Sequence, residues 1–124
     1  KKKIILDCKP EVNILFGKNN LNRVISNILE NGCKFGEIIK IKAFTDDKIL
    51  IIDIEDDGPG VAKNIKEKIF KPFFKQDSSR NLNQVGSGLG LSIAKEIIVK
   101  FGGRVILKDS KLGGAWFKII LPLN

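Results

Sequence analysis

Ile49-Leu50-Ile51-Ile52-Asp53-Ile54-Glu55-Asp56-Asp57-Gly58-Pro59-Gly60 is the stretch on which the fold turns. Ile49 to Glu55 is rich in β-branched residues and reads as a strand, and Asp56 to Gly60 breaks it. Glycine there permits positive φ and lets a ligand approach the backbone closely. A carboxylate buried at such a turn can accept a hydrogen bond from an exocyclic amine, and a site that pairs with an amine discriminates strongly against analogues lacking it. Adenine carries that amine, whereas guanine carries a carbonyl at the same ring position. Asp56 capping the backbone of its own turn is the other reading of the same residues.

Upstream, Ile38 to Phe44 reads as the preceding strand, joined to Ile49 by a hairpin turn at Thr45-Asp46-Asp47. Before it, Leu21, Val24, Ile25, Ile28 and Leu29 recur at helical spacing. They predict a helix from Asn20 to about Lys34, with Asn19 or Asn20 as N-cap and Gly36 as the stop. Ile4 to Asp7 reads as a short first strand ended by Pro10. Downstream, Lys63 to Phe70 reads as a short helix with Ile65 and Ile69 inward. Lys71 to Gly90 has almost no periodicity, and so long a segment within a domain is usually a functional loop or lid. Leu91 to Phe101 is helical again through Ile93, Ala94, Ile97 and Ile98, and Gly102-Gly103 ends it. Arg104 to Asp109 and Ala115 to Leu121 are the last strands, connected through Gly113-Gly114. The sum is an α+β chain, a two-layer α/β sandwich whose mixed sheet of about five strands carries about three helices on one face.

Two further constellations accompany the strand turn. Asn27, Asn31 and Lys34 fall at i, i+4 and i+7 on the first helix, so they share one face while the aliphatic stripe meets the core. Amide oxygens are neutral, hard ligands suited to a magnesium ion already largely satisfied by phosphate oxygens and water. A lysine one turn on can neutralise phosphate charge. On an isolated helix the same three residues would make a solvated polar face. Gly86-Ser87-Gly88-Leu89-Gly90-Leu91 precedes the second long helix, where N–H groups and the positive end of the helix dipole would face a phosphate. It matches neither the GxxxxGK phosphate loop nor the dinucleotide GxGxxG pattern, and a hinge leading into a helix is its plain alternative. Between turn and loop, Ile69-Phe70-Lys71-Pro72-Phe73-Phe74-Lys75 mixes aromatics with cations. At least one phenylalanine belongs in the core, and the others are expected to anchor the lid.

Composition narrows the chemistry. At 124 residues the chain is one domain, and 43% hydrophobic with 29% charged residues fits a soluble globular class, not a disordered one. No apolar run is long enough to span a membrane and no leader pattern opens the chain. Met is absent, which suggests a piece of a larger protein or a processed N-terminus. His is absent too, which removes Ser-His-Asp and Cys-His mechanisms from within the chain. Cys8 and Cys33 lack metal-site spacing and read as reduced small hydrophobes. A net charge of +8 suits an anionic partner. Yet the lysines are spread along the chain without interleaved stacking aromatics, so no nucleic acid is expected.

Taken in order, these residues resemble the catalytic, ATP-binding domain of sensor histidine kinases, a branch of the ATPase superfamily shared with gyrase B and the mismatch-repair ATPases. Asn27-Ile28-Leu29-Glu30-Asn31-Gly32-Cys33-Lys34-Phe35 resembles the N box, Asp56 to Gly60 the first glycine box, Ile69 to Phe74 the F box, and Gly86 to Leu91 the second glycine box. The resemblance covers nearly the whole chain and implies a Bergerat-type ATP-binding fold. It implies that Asn31 is the principal magnesium ligand with Asn27 in support, that Lys34 contacts phosphate, and that Asp56 accepts the adenine amine. Phe35 stands where the family usually has a tyrosine beside the adenine, keeping the ring without the hydroxyl. Gly32 replaces the usual alanine, at roughly 1 kcal/mol of helix stability. Gly58, Gly60, Ile65, Phe70 and Phe74 would line the nucleotide site. Lys75, Gln76, Arg80 and Gln84 lie where lid residues reach the terminal phosphates, and Gly86, Ser87, Gly88, Leu89, Gly90 and Leu91 would complete the phosphate loop.

Hydrolytic members of that superfamily carry a glutamate four residues before the metal-binding asparagine; this chain has Asn27, whose amide cannot act as a general base. The resemblance therefore implies a kinase and not an ATP hydrolase. Its acceptor histidine would lie on a separate dimerisation domain of the same parent protein, with a response regulator downstream and a cytoplasmic location for this domain, alone or as part of a membrane-anchored sensor. The alternatives are an anti-sigma-factor type serine kinase of the same superfamily and a non-catalytic nucleotide-sensing scaffold.

Overall fold

A computed structural model describes residues 3–8, 18–33, 35–72 and 90–123, with Cys8, Lys18, Asn31 and Gly32 described by their backbone alone. Five strands, β1 (Lys3–Cys8), β2 (Ile38–Asp46), β3 (Ile49–Asp56), β4 (Arg104–Asp109) and β5 (Ala115–Pro122), form one sheet in the order β1-β2-β3-β5-β4. β1 runs parallel to β2, with Lys3 opposite Ile38, and the other neighbours are antiparallel. The mixed sheet is the one expected. A parallel pair needs a crossover, and here helix α1 (Lys18–Asn27) supplies it.

Period-2 alternation decides which face is covered. β2 buries Ile39, Ile41 and Ala43, and β5 buries Ala115, Phe117, Ile119 and Leu121. Central β3 is buried almost throughout, including Leu50, Ile52 and Ile54. Val24 of α1 and Leu91, Ala94 and Ile98 of helix α2 (Gly90–Lys100) join these side chains in one core. On the other face, Trp116 Nε1 donates to Asp53 Oδ1 at 2.8 Å, which satisfies a carboxylate that is only 7% exposed.

Several boundaries depart from the sequence reading. The first helix starts at Lys18, so Asn19 and Asn20 lie within it instead of capping it. It stops being α-helical at Asn27 and continues as a π-helical turn, Ile28–Gly32, whose wider ring is seen in the Cys33 N–H to Ile28 O bond of 3.0 Å. Ile28 and Cys33, five residues apart, are both fully buried. In a 3.6-residue turn they would point to different sides, and an i→i+5 turn brings both to the core. The expected helix over Lys63 to Phe70 is instead two 3₁₀ turns, Lys63–Ile65 and Lys68–Phe70. The β2–β3 turn lies at Asp47-Lys48, with Asp47 at φ 59°, because pairing continues through Asp46 and Ile49. Among the described residues the helical layer thus holds two α-helices and three short turns of other kinds; the two-layer α+β class stands.

α2 ends as its sequence predicts. Gly102 N–H bonds Val99 O at 2.9 Å and Gly103 N–H bonds Ile98 O at 2.8 Å, with Gly102 at φ 84°, the Schellman pattern. Among the described residues no helix is long and apolar enough to cross a membrane.

Candidate functional site

Asp56 closes β3 on the helix-bearing side of the sheet and is 3% exposed. Its Oδ1 accepts from Gly58 N–H at 3.1 Å and from Ala115 N–H at 2.8 Å. Its backbone oxygen accepts from Gly114 N–H at 3.1 Å. The carboxylate is thereby fixed in orientation through one oxygen, and among the described residues no protein donor reaches Oδ2. Oδ1 caps the turn, as one of the two sequence readings of Asp56 has it, and Oδ2 is left as an acceptor.

Three glycines let the backbone close around it. A Cβ on Gly36 would stand 2.8 Å from Asp56 Cβ, and one on Gly58 would stand 3.2 Å from Gly36 N and from Phe35 C. Gly60 takes φ 77°, beside Gly113 and Gly114. The Asp56–Gly60 turn is therefore held between the Phe35-Gly36 segment and the β4–β5 hairpin. Phe35 itself is 59% exposed, a large ring presented at the edge of this turn.

Neighbouring carboxylates brace the same turn. Asp57 Oδ1 accepts from Glu37 N–H at 2.8 Å and Ile38 N–H at 2.9 Å, which ties the start of β2 to it. Glu55 Oε1 accepts from the Ser110 hydroxyl at 2.7 Å. Lys66 Nζ reaches Val61 O at 3.1 Å and Asp109 Oδ1 at 2.8 Å, which ties the first 3₁₀ turn to β4.

Phe35, Asp56, Gly58 and Gly60 thus meet in one place. Ile65 is half-buried and packs on the core. Phe70 is buried and meets Phe117 edge-on, ring centroids 6.1 Å apart, so it is the F-box phenylalanine expected in the core. Asn27 is half-buried at the end of α1, and Asn31 lies in the π turn. Gly90 opens α2, and Leu91 is a core residue whose backbone belongs to the first turn. Lys34, Phe74, Lys75, Gln76, Arg80, Gln84, Gly86, Ser87, Gly88 and Leu89 lie outside the described residues. Gly36, Asp57, Ser110 and Gly114 were not singled out for the site by sequence reasoning; Gly36 and Gly114 carried only the signal of a helix stop and a tight turn.

The geometry has known counterparts. Residues 17–124 match the model of the histidine kinase-, DNA gyrase B- and HSP90-like ATPase family. The sensor protein PhoQ of Escherichia coli strain K12 is 36% identical over 118 residues, 94% of this chain and 24% of that protein. The virulence sensor histidine kinase PhoQ of Salmonella typhimurium strain LT2 is 35% identical over 118 residues, 94% of this chain and 23% of its own. The chain therefore spans about a quarter of the length of these relatives. Among solved structures, the mycobacterial sensor histidine kinase MprB superposes with a TM-score of 0.80 at 28% identity, covering 97% of this chain and 82% of that one. Full-length ShkA in complex with AMPPNP gives 0.81 at 28% identity, with 97% and 25% covered. The catalytic domain of histidine kinase ThkA gives 0.79 at 26%, with 97% and 79% covered. With its sheet order, its braced Asp-Gly turn and a family match that runs from before α1 to its last residue, the chain belongs to the histidine kinase-, DNA gyrase B- and HSP90-like ATPases.

Proposed function

We propose that this chain is the ATP-binding catalytic domain of a two-component sensor histidine kinase. It would present magnesium-ATP so that the γ-phosphoryl group leaves ADP and forms a bond to an imidazole nitrogen on a separate dimerisation domain, a response regulator receiving it in turn. The chain contains no histidine, so the acceptor would come from outside it. The observation that carries the reading is Asp56: a buried carboxylate anchored through Oδ1 by two backbone N–H groups, with Oδ2 able to accept from the six-amino group of adenine. The exposed Phe35 ring lies beside the same turn and supplies a stacking surface.

The donor set also fits a magnesium ion. Asn27, and Asn31 one turn on, offer neutral amide oxygens, which would hold the ion while the triphosphate supplies charge. Bound there, magnesium would neutralise negative charge on the phosphates during transfer. Lys34, Lys75, Arg80 and the Gly86–Gly90 loop would contribute the remaining phosphate contacts. An amide at Asn27 provides no base for water, which favours transfer to a better nucleophile over hydrolysis. The same reading has the domain work in the cytoplasm, where ATP and a response regulator would be met.

Calorimetric titration of a non-hydrolysable ATP analogue with magnesium, on the native protein and on Asp56→Asn, tests this. The asparagine keeps an acceptor for the turn but can turn a donor toward the adenine amine, so binding is expected to weaken about a hundredfold or more. A folded native protein that binds no ATP analogue would sink the proposal.

A further inference from the structure

Glu55, Asp56 and Asp57 are consecutive, yet only the middle carboxylate turns to the helix-bearing side. The outer neighbour is not idle. Ser110, 8% exposed at the end of β4, donates its hydroxyl to Glu55 Oε1 at 2.7 Å, and the same hydroxyl oxygen accepts from Leu112 N–H at 3.0 Å. Ser110 N–H bonds Gly114 O at 2.8 Å, and Gly113 N–H bonds Ser110 O at 3.0 Å. One serine thus organises the whole β4–β5 hairpin and fastens it to the residue that precedes Asp56. The hairpin in turn delivers two donors to Asp56: Gly114 N–H to its backbone oxygen at 3.1 Å and Ala115 N–H to its Oδ1 at 2.8 Å.

We infer that Glu55 and Ser110 are positioning residues for adenine recognition: a latch that holds the hairpin so that Ala115 N–H fixes Asp56 Oδ1 and leaves Oδ2 aimed at the purine amine. The inference rests on the reading of Asp56 as the adenine acceptor. The latch needs an acceptor at Glu55 and not a charge, because its partner is a neutral hydroxyl. Releasing it frees the hairpin from one side, and Asp56 then samples orientations in which the amine is not met. Loss of one such hydrogen bond corresponds to about fivefold in an equilibrium constant.

The test compares two nucleotides on the intact protein: magnesium-bound β,γ-imido-ATP, and the corresponding purine riboside analogue, which lacks the six-amino group. Glu55→Ala and Ser110→Ala are expected to weaken the adenine nucleotide about fivefold while leaving the purine analogue unchanged, and Glu55→Gln, which keeps the acceptor, is expected to bind both as wild type does. Equal weakening of both nucleotides would make the latch merely structural and overturn the inference, as would unchanged binding of both. Asp56→Asn serves as the separate control. If it discriminates against the amine while the Glu55 and Ser110 variants do not, the latch fails and the reading of Asp56 survives. If Asp56→Asn itself binds both nucleotides normally, that reading fails and the latch falls with it.

Discussion

Gly114 lies against Asp56 with no space for a side chain between them: a Cβ at this position would collide with the carboxylate Oδ1 and come within 2.6 Å of Gly58 N. Both atoms belong to the turn that fixes the carboxylate, so the neighbours cannot yield without breaking its hydrogen bonds. Gly114→Ala is expected to lose about 1–3 kcal/mol of stability through overpacking. It should also abolish binding of the ATP analogue. Thermal unfolding and calorimetry read the two effects separately, and a variant that binds normally would show that the hairpin is not part of the site.

Phe117 is fully buried at the centre of β5 and meets Phe70 at 90°. Phe117→Ala should cost about 3–5 kcal/mol in urea unfolding, from lost transfer energy and the cavity left behind. Phe70 ends the second 3₁₀ turn, so its release loosens that segment as well. Saturating ATP analogue should restore part of the loss, since a ligand bound only by the folded state stabilises it by mass action.

Trp116→Phe removes the donor to Asp53 and leaves that buried carboxylate with Lys118 Nζ at 3.7 Å. It also exchanges the indole over which Lys108 and Lys118 sit, at 5.0 and 5.5 Å from its centroid, for a smaller phenyl ring. A loss of about 1–3 kcal/mol is expected from the under-bonded carboxylate. Affinity for the ATP analogue should not change, because the Trp116 and Asp53 side chains bond each other and take no part in the hydrogen bonds that hold Asp56 and the β4–β5 hairpin. Circular dichroism must follow the unfolding, since Trp116 is the only tryptophan.

Asp109→Asn should do almost nothing. The Lys66–Asp109 pair is short at 2.8 Å, but the Asp109 side chain is 79% exposed, and Lys66 keeps its bond to Val61 O. A change below about 0.5 kcal/mol is expected, with no salt dependence beyond that of the wild type. A larger loss in denaturant titration would mean that Lys66 depends on Asp109 to hold the first 3₁₀ turn.

The strands were legible because their signal is local. β2 alternates apolar with polar residues, β5 is apolar but for Lys118, and half of β3 is isoleucine. Asp56 and Gly58 were legible for the same reason, as a carboxylate and a glycine two residues apart at the end of a strand. Lys63 to Phe70 misled because Ile65 and Ile69 stand at helical spacing, while Lys66 breaks the run by reaching to Val61 and Asp109. The π turn depends on Ile28 and Cys33 both finding the core, a demand that no propensity scale contains. Gly114 was read only as a turn residue and Ser110 was not singled out, since their partners Asp56 and Glu55 lie far away in sequence, 55 residues for the Ser110–Glu55 pair. What sequence conceals here is the company that a turn residue keeps.

Among the described residues β1 has one neighbour, and its Ile4, Ile5 and Leu6 remain 53%, 42% and 66% exposed. β2/β3 and β4/β5 are closed by short turns, whereas β1 reaches β2 only across α1 and the π turn, at a greater loop-closure entropy. Few buried apolar contacts and a single row of ladder bonds mark the low end of local stability. In amide exchange the β1–β2 rung would open before the hairpins do. The segment that spans this rung carries Asn27, Asn31 and Phe35, so opening of the rung would free one anchor of the segment that the proposed nucleotide site draws on, while Ile28 and Cys33 keep their hold on the core.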